Sequence, residues 1–134
     1  MDYLLFEIVK PDYLSVVPEC PLKEAVDLMH HARSSSVLVV EDGEPVGIFT
    51  ERDAVSLLLE SFAGTSWHDL PVKHVMTSPV IAVRDDCTLM EALAIARGGK
   101  IRHMPVINSE GKISGLLNQG EMLEHLYKFC LDNY

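Results

Sequence analysis

The sequence predicts an α/β fold in which a β-α-β-β-α unit occurs twice. The main observation is an internal repeat: Gly47-Ile48-Phe49-Thr50 and Gly115-Leu116-Leu117-Asn118 hold the same place in two copies about 67 residues apart. Helix-length apolar stripes alternate with short β-branched runs in both copies. A chain of 134 residues is long enough to form one hydrophobic core. One copy alone, at roughly 60 residues, would bury too small a fraction of its surface to be a stable domain. We therefore expect the two copies to share one core.

The first copy shows the complete order of elements. Its first helix carries one apolar stripe through Leu22, Ala25 and Met29, and Pro21 precedes it. Its first long strand is continuously apolar, which is typical of a strand buried on both faces, and Asp42-Gly43 is a tight-turn signal. The predicted elements are an extended run at Leu14–Val17, a helix at Leu22–Ala32, strands at Val37–Val40 and Val46–Phe49, and a helix that begins near Thr50.

The second copy repeats this order. It has an extended run at Val80–Val83, a helix at Leu89–Ala96, strands at Met104–Ile107 and Ile113–Leu117 separated by a turn at Ser109-Glu110-Gly111, and a helix from Gly120. We divide the chain into an N-terminal appendage (1–13), a first repeat (14–60), a linker (61–74), a second repeat (75–128) and a C-terminal tail (129–134). The apolar positions near the C-terminus either contact another chain or effector domain, or pack on the protein's own core.

Composition and charge exclude several classes of partner. A formal charge of -9 disfavours nucleic acid and anionic membranes, because affinity for phosphate backbones comes from clustered Lys and Arg. No apolar run approaches the roughly 18 to 20 residues that cross a bilayer, and the acidic N-terminus is unlike a signal peptide. The three cysteines (Cys20, Cys87 and Cys130) form no metal or redox motif. We expect free thiols in a soluble, cytoplasmic protein.

Thr50-Glu51-Arg52-Asp53 is the strongest chemical candidate, because it lies where a strand ends and a helix begins. Helix N-termini present unpaired amide groups that suit anions, and an Asp one turn into the helix is able to accept bonds from the two hydroxyls of a ribose. A Thr followed three residues later by an acid is equally a helix-capping arrangement. Asn118 and Glu121 would cap the second copy in the same way, so both interpretations stay open.

The second candidate is the basic segment that contains Arg102 and His103, just before a strand of the second copy. The Arg102 guanidinium is able to bind a phosphate through two parallel N–H donors. His103 adds a further N–H donor, whose hydrogen bond strengthens when the ring is protonated. The alternative is a solvated basic turn. The first copy has the uncharged Ser35 and Ser36 at this place. The copies are therefore complementary, with an acid for a sugar in one and bases for a phosphate in the other.

Catalysis and metal binding have little support in the sequence. His30 and His31 are adjacent on a helix and point in different directions, and the remaining histidines lack ligand spacing. No hydrolase, metalloprotease or P-loop motif is present, and no nucleophile has an evident base. We expect a protein that is not an enzyme and has no metal site.

Several segments, taken in order, resemble the tandem cystathionine β-synthase (CBS) domain pair, or Bateman module. They are Pro21-Leu22-Lys23-Glu24-Ala25, Gly47 to Asp53, Val75-Met76-Thr77 with Pro79 to Val83, and Arg102-His103-Met104-Pro105-Val106. The resemblance covers about Leu14 to Lys128. It implies two intertwined repeats with central sheets, outer helices and pseudo-twofold symmetry, pairing into a homodimer. It also implies regulation by AMP, ADP, ATP or S-adenosylmethionine with no required cofactor.

The resemblance also assigns the ligand-binding residues. It implies a ribose site at Thr50 and Asp53 with Arg52 nearby, and a phosphate site at Arg102 and His103. It implies an adenine slot whose backbone groups read the base, formed by Pro79, Val80, Ile81 and Pro105, and Thr77 is a further ligand-binding residue. In the symmetric site Glu121 would crowd a ribose, so we expect one nucleotide per chain. The expected role is to transmit a conformational change to a partner or fused domain. The alternative is a ligand-free dimerisation or protein-interaction module.

Overall fold

A computed structural model describes residues 3–60 and 67–133. The chain divides into two compact units, Tyr13–Val80 and a second formed by Met1–Asp12 together with Ile81–Tyr134. We call them the first-repeat unit and the second-repeat unit. The predicted linker falls partly on residues 61–66, which lie outside the described residues.

The elements follow the predicted order in both units. They are α1 (Leu5–Ile8), β1 (Ser15–Val16), α2 (Leu22–Ala32), β2 (Ser36–Glu41), β3 (Glu44–Thr50), α3 (Glu51–Glu60), β4 (Val83–Arg84), α4 (Leu89–Gly99), β5 (His103–Ile107), β6 (Ile113–Asn118) and α5 (Gln119–Asn133). A 3-10 turn at Val72–His74 precedes β4. The predicted α/β class with two β-α-β-β-α repeats is confirmed.

Each unit has a three-stranded sheet with the same topology and register. The orders are β1-β2-β3 and β4-β5-β6, with one parallel pair followed by one antiparallel pair. Val37 pairs with Phe49 in the first sheet, and Met104 pairs with Leu117 in the second. Each antiparallel ladder also shifts register once, between Val39 and Val40 or between Val106 and Ile107. The sequence repeat is therefore also a repeat of backbone geometry.

The turn between β2 and β3 follows from its sequence. Asp42 and Gly43 both have positive φ, 53° and 79°. Two successive positive φ values are what a two-residue hairpin turn requires, and Asp-Gly adopts them at low cost.

Three elements differ from the predicted bounds by three residues or more, and the others by at most two. The strand predicted at Val80–Val83 is observed at Val83–Arg84, because only those residues pair with β5, through Val106 and Ile107. α4 continues past the predicted end at Ala96 to Gly99, where Lys100 terminates it in the left-handed conformation. α5 continues through the predicted tail to Asn133, and Phe129 in that tail packs edge-to-face on Tyr3.

Each unit incorporates the segment that precedes the other copy in the sequence. Leu5, in the segment predicted as an appendage, is fully buried in the core of the second-repeat unit, and Val72 is fully buried in the first-repeat unit. The backbone N–H of Leu89 donates to the carbonyl of Tyr3 at 2.7 Å, and that of Leu22 donates to Leu70 at 2.8 Å. The chain therefore passes between the units twice: it begins in the second-repeat unit, forms the whole first-repeat unit, and then returns to the second-repeat unit.

Most of the buried apolar residues form two clusters, one in each unit, and Leu38, Ile48 and Leu89 are buried but belong to neither. The expectation of a single shared core stays a prediction. The first-repeat cluster is Cys20, Leu22, Ala25, Met29, Val37, Val39, Phe49 and Val72. The second-repeat cluster is Leu5, Val83, Ala92, Ala96, Met104, Val106, Leu117 and Met122. The borrowed segments supply the apolar surface that a repeat of this size lacks alone.

Across residues 3–60 and 67–133, no helix combines the length and the apolar character that crossing a membrane requires.

Candidate functional site

Asp53 is fixed at the start of α3 by Thr50. Its Oδ2 accepts bonds from the Thr50 backbone N–H at 2.9 Å and from the Thr50 hydroxyl at 3.1 Å. The Asp53 N–H in turn contacts the Thr50 hydroxyl oxygen at 3.3 Å. These reciprocal bonds satisfy amide groups that a helix N-terminus otherwise leaves unpaired. The capping interpretation of this motif is confirmed, and its ligand-binding role stays a prediction.

Thr77 completes the arrangement from a distant part of the sequence. Its hydroxyl donates to Asp53 Oδ1 at 3.2 Å, with Oδ2 at 3.5 Å. The backbone of Thr77 is held by two bonds with Ile48, 3.0 and 2.8 Å long, which form an antiparallel bridge to β3. Thr77 is exposed, and Asp53 is half-buried. The carboxylate therefore has one oxygen engaged by the helix cap and one held by a hydroxyl at the surface.

Gly47 allows the segment before Thr77 to approach β3 closely. A Cβ at Gly47 would lie 2.1 Å from Met76 Sδ, which is far inside van der Waals contact. Glycine at this place in the strand therefore makes room for the Met76 side chain and, through it, for the bridge that positions Thr77.

The second-repeat unit has the corresponding cap with different chemistry. The Glu121 N–H donates to Asn118 Oδ1 at 2.8 Å, and the Asn118 N–H donates to Glu121 Oε1 at 3.4 Å. A Cβ at Gly115 would meet the Val9 side chain at 2.5 Å and the Lys10 carbonyl at 2.7 Å. Lys10 therefore occupies the place that Thr77 has in the first-repeat unit. Its side chain offers an ammonium group rather than a hydroxyl.

The predicted phosphate-binding residues lie in the second-repeat unit. Arg102 is exposed just before β5, and His103 is half-buried as the first residue of β5, opposite Asn118. At the corresponding place in the first-repeat unit, Ser36 is buried and the Ser35 carbonyl accepts a bond from the Glu51 N–H at 3.0 Å. The two copies therefore differ at this place in exposure as well as in the predicted charge: Arg102 is exposed, whereas Ser36 is buried.

The predicted adenine-slot residues are divided between the units. Pro79 is exposed and Val80 half-buried in the first-repeat unit, whereas Ile81 is 49% exposed in the second-repeat unit. Pro105 is fully buried in β5, so its predicted role rests on its backbone. Arg52 is exposed on the first turn of α3. The structure brings together Thr50, Asp53 and Thr77; convergence of these with Arg102 and His103 stays a prediction.

Sequence reasoning missed two positions. It counted Thr77 among the ligand-binding residues without detecting that its hydroxyl holds Asp53, and it left Lys10 in an appendage. Extending the repeat toward the N-terminus would have identified Lys10 as the counterpart of Thr77, because Val9-Lys10 aligns with Met76-Thr77 at the same spacing.

Two of the free cysteines occupy equivalent places before α2 and α4. Burial raises the pKa of the Cys20 thiol, and the nearby Glu24 carboxylate raises it further. Burial likewise raises the pKa of Cys87. Both thiols are therefore neutral at physiological pH, which makes them poor nucleophiles.

Comparison with known proteins gives related chains of the same architecture. A CBS-domain containing protein of Agrobacterium tumefaciens is 29% identical with a TM-score of 0.75, over 86% of this chain and 90% of that one. CBSX2, a CBS-pair protein of Arabidopsis thaliana, in complex with AMP, is 23% identical with a TM-score of 0.81, over 95% of this chain and 98% of that one.

A curated relative shows the same region inside a longer protein. Inosine-5'-monophosphate dehydrogenase of Aquifex aeolicus is 36% identical over 112 residues, which are 82% of this chain and 21% of the enzyme. The chain spans 60% of the length of each of two further curated relatives. The family model for the CBS domain matches residues 5–60 and 72–128, which together are most of the chain. This protein therefore belongs to the CBS domain family and contains two CBS domains.

Proposed function

We propose that this chain is a regulatory module that binds one adenosine compound and transmits a conformational change to a partner or fused domain. Asp53 and Thr50 hold the ribose, with Arg52 nearby, and Arg102 and His103 hold the phosphate. Backbone groups of the adenine slot read the base. The ligand is AMP, ADP, ATP or S-adenosylmethionine.

The observation that carries this proposal is the state of the Asp53 carboxylate. Thr50 and Thr77 fix it from two sides at distances of 2.9 to 3.5 Å, yet the residue is only half-buried. A carboxylate oxygen has more than one acceptor site, so Oδ1 is able to accept a ribose hydroxyl in addition to the Thr77 hydroxyl. Preorganisation of this kind lowers the entropic cost of binding. The AMP complex of the plant CBS-pair protein supports the choice of ligand class.

The two copies are not equivalent as ligand sites, which supports a stoichiometry of one. In the second-repeat unit the Glu121 carboxylate is one methylene longer and engaged by the Asn118 N–H, and Lys10 stands where Thr77 would be. The first-repeat unit has Ser35 and Ser36 where the other has two bases. We therefore expect one nucleotide per chain.

Isothermal titration with the four adenosine compounds tests the proposal. Wild type binds at least one of them at one per chain, Asp53→Ala and Arg102→Ala each lose that binding, and Glu121→Ala is the matched control that keeps it. Asp53→Ala also removes the carboxylate half of the reciprocal cap, a loss of about 1 kcal/mol or less, so urea denaturation of each variant verifies that it is folded. Equal binding by Asp53→Ala, or two equal sites in wild type, contradicts the proposal.

A second proposal, homodimerisation, rests on exposed apolar side chains of α5. Leu123, Tyr127 and Leu131 are 66%, 63% and 61% exposed and lie four residues apart, on one face of the helix. A contiguous apolar stripe of this kind is typical of a protein interface. In sedimentation velocity, wild type is a dimer, Leu123→Asp with Tyr127→Asp is a monomer, and Lys128→Gln on the same helix stays a dimer. A monomeric wild type at tens of micromolar contradicts dimerisation.

A further inference from the structure

We infer that the first-repeat unit contains a second ligand site, a small apolar pocket between α2 and α3 that takes a molecule of single-ring size. The pocket has a volume of about 180 Å³ and is lined by Val26, Phe49, Ala54, Leu57, Leu58 and Trp67. All six side chains are apolar or aromatic. This pocket is distinct from the proposed nucleotide site, to which none of these residues is assigned.

The internal repeat explains why the pocket occurs in this copy. The register of β3 and β6 makes Phe49 equivalent to Leu117, and the same spacing makes Ala54 equivalent to Met122. Met122 is 3% exposed and belongs to the core cluster of its unit. Ala54 has the same place on the first turn of α3 but lacks the three further heavy atoms of methionine. The first copy therefore leaves unfilled a volume that a core side chain takes in the second.

Trp67 forms one wall of the pocket. It is half-buried, packs against the first-repeat core, and stacks on the His68 ring with centroids 4.3 Å apart and an interplanar angle of 17°. Trp67 and Phe49 are the two aromatic residues among the six that line the pocket. Aromatic surfaces favour a second ring beyond the area that is buried.

Size and lining together define the ligand class. Protein cavities of about 150 Å³ lined by aliphatic and aromatic side chains stay dry and take up benzene-sized molecules. Val26 and Ala54 also border a wider open groove of about 800 Å³, which gives a path from solvent. The ligand that fits is a monocyclic aromatic or an alkyl chain of similar volume, without a charge on the part that enters the pocket.

Trp67 is the single tryptophan of the chain, so its fluorescence reports on the pocket directly. Iodobenzene is a suitable probe because its iodine quenches indole emission on contact. We expect saturable quenching in wild type. Ala54→Met fills the pocket from within, and its apparent affinity for iodobenzene falls at least about tenfold. Ala94→Met, at an exposed position of α4, adds the same side chain elsewhere and keeps the wild-type response.

Two results overturn the inference. One is quenching of wild type that rises linearly with iodobenzene concentration, which indicates collisions rather than a site. The other is equal saturable quenching of Ala54→Met. If Ala54→Met fails to fold, methyl NMR of wild type decides the question. Saturable shifts then fall on Val26, Leu57 and Leu58, and shifts confined to methyl groups of the second-repeat unit contradict the site.

Discussion

The Thr77 hydroxyl donates to Asp53 Oδ1 across 24 positions of sequence, at 3.2 Å. Through this bond the segment after the 3-10 turn controls the carboxylate at the start of α3. The two bonds from Thr50 go to Oδ2, and the shorter contact from Thr77 goes to Oδ1, so the orientation of Oδ1 depends on Thr77. The bond therefore links the segment that contains Thr77 to the helix cap formed by Thr50 and Asp53.

Replacement of Thr77 by Val is expected to weaken binding of the adenosine ligand by roughly 3- to 30-fold. The substitution keeps the β-branched shape but removes the donor. A hydrogen bond to a charged group contributes about 1.5 to 3 kcal/mol, and because this bond also forms without ligand, only part of that energy is lost from binding. Thr77→Ser retains the hydroxyl and is expected to stay within about threefold of wild type. Isothermal titration measures both. Equal affinities of the Val and Ser variants would show that Thr77 does not position Asp53.

The sequence was sufficient for the order of elements because the repeat supplies each pattern twice. The Asp42-Gly43 turn and the apolar runs of β2 and β5 predict the hairpins directly, since turn chemistry and strand burial are local properties. The cap formed by Thr50 and Asp53 is also local, because three residues span one helical turn.

Long-range features were not predictable in the same way. The bond between Thr77 and Asp53 depends on the bridge from Thr77 to Ile48, which no local pattern encodes. Burial of Leu5 in the core of the second-repeat unit depends on how the N-terminal segment pairs with residues near Thr88. The pocket beside Ala54 arises from the smaller side chain at this position in the first copy. The comparison with Met122 requires the strand registers of both sheets, which the structure provides.

Substitution of Gly115 by Ala is expected to destabilise the protein by about 1 to 3 kcal/mol. The added Cβ would lie 2.7 Å from the Lys10 carbonyl and 2.5 Å from Val9 Cγ2. Gly98 in α4 is the matched control, because a Cβ there meets nothing within 4 Å. Gly98→Ala is expected to stabilise the protein by roughly 0.5 to 1 kcal/mol. Urea denaturation measures both, and equal effects of the two substitutions contradict the close approach at Gly115.

Truncation of Met122 to Ala is expected to cost about 2 to 5 kcal/mol of unfolding free energy. Met122 is 3% exposed in the core of the second-repeat unit, so its removal leaves a cavity. Leu123, the next residue, is 66% exposed, and Leu123→Ala provides a control whose cost stays below about 0.5 kcal/mol. Denaturation of both variants at a concentration that keeps them monomeric separates core packing from any interface. A cost for Met122→Ala as small as that of the control would contradict its role as a core residue.

Stability is expected to fall as pH rises into the alkaline range, partly because of Cys20. Burial raises the pKa of this thiol in the folded state, whereas in the unfolded chain it ionises near its ordinary value of about 8.5. Above that pH the unfolded state binds fewer protons than the native state, so the free energy of unfolding decreases with pH. Below it both states are protonated and the term is constant. Cys87, whose pKa is also raised by burial, contributes with the same sign.

Urea denaturation of wild type and Cys20→Ala between pH 7 and pH 10 measures this contribution. Cys20→Ala is less stable than wild type at pH 7, because it loses a buried side chain, but its stability decreases less steeply above about pH 8.5. Cys130 is exposed on α5, so Cys130→Ala serves as the control for the loss of a thiol that is not buried. Parallel curves for wild type and Cys20→Ala would mean that the Cys20 thiol titrates alike in the folded and unfolded states, against the burial that the structure shows.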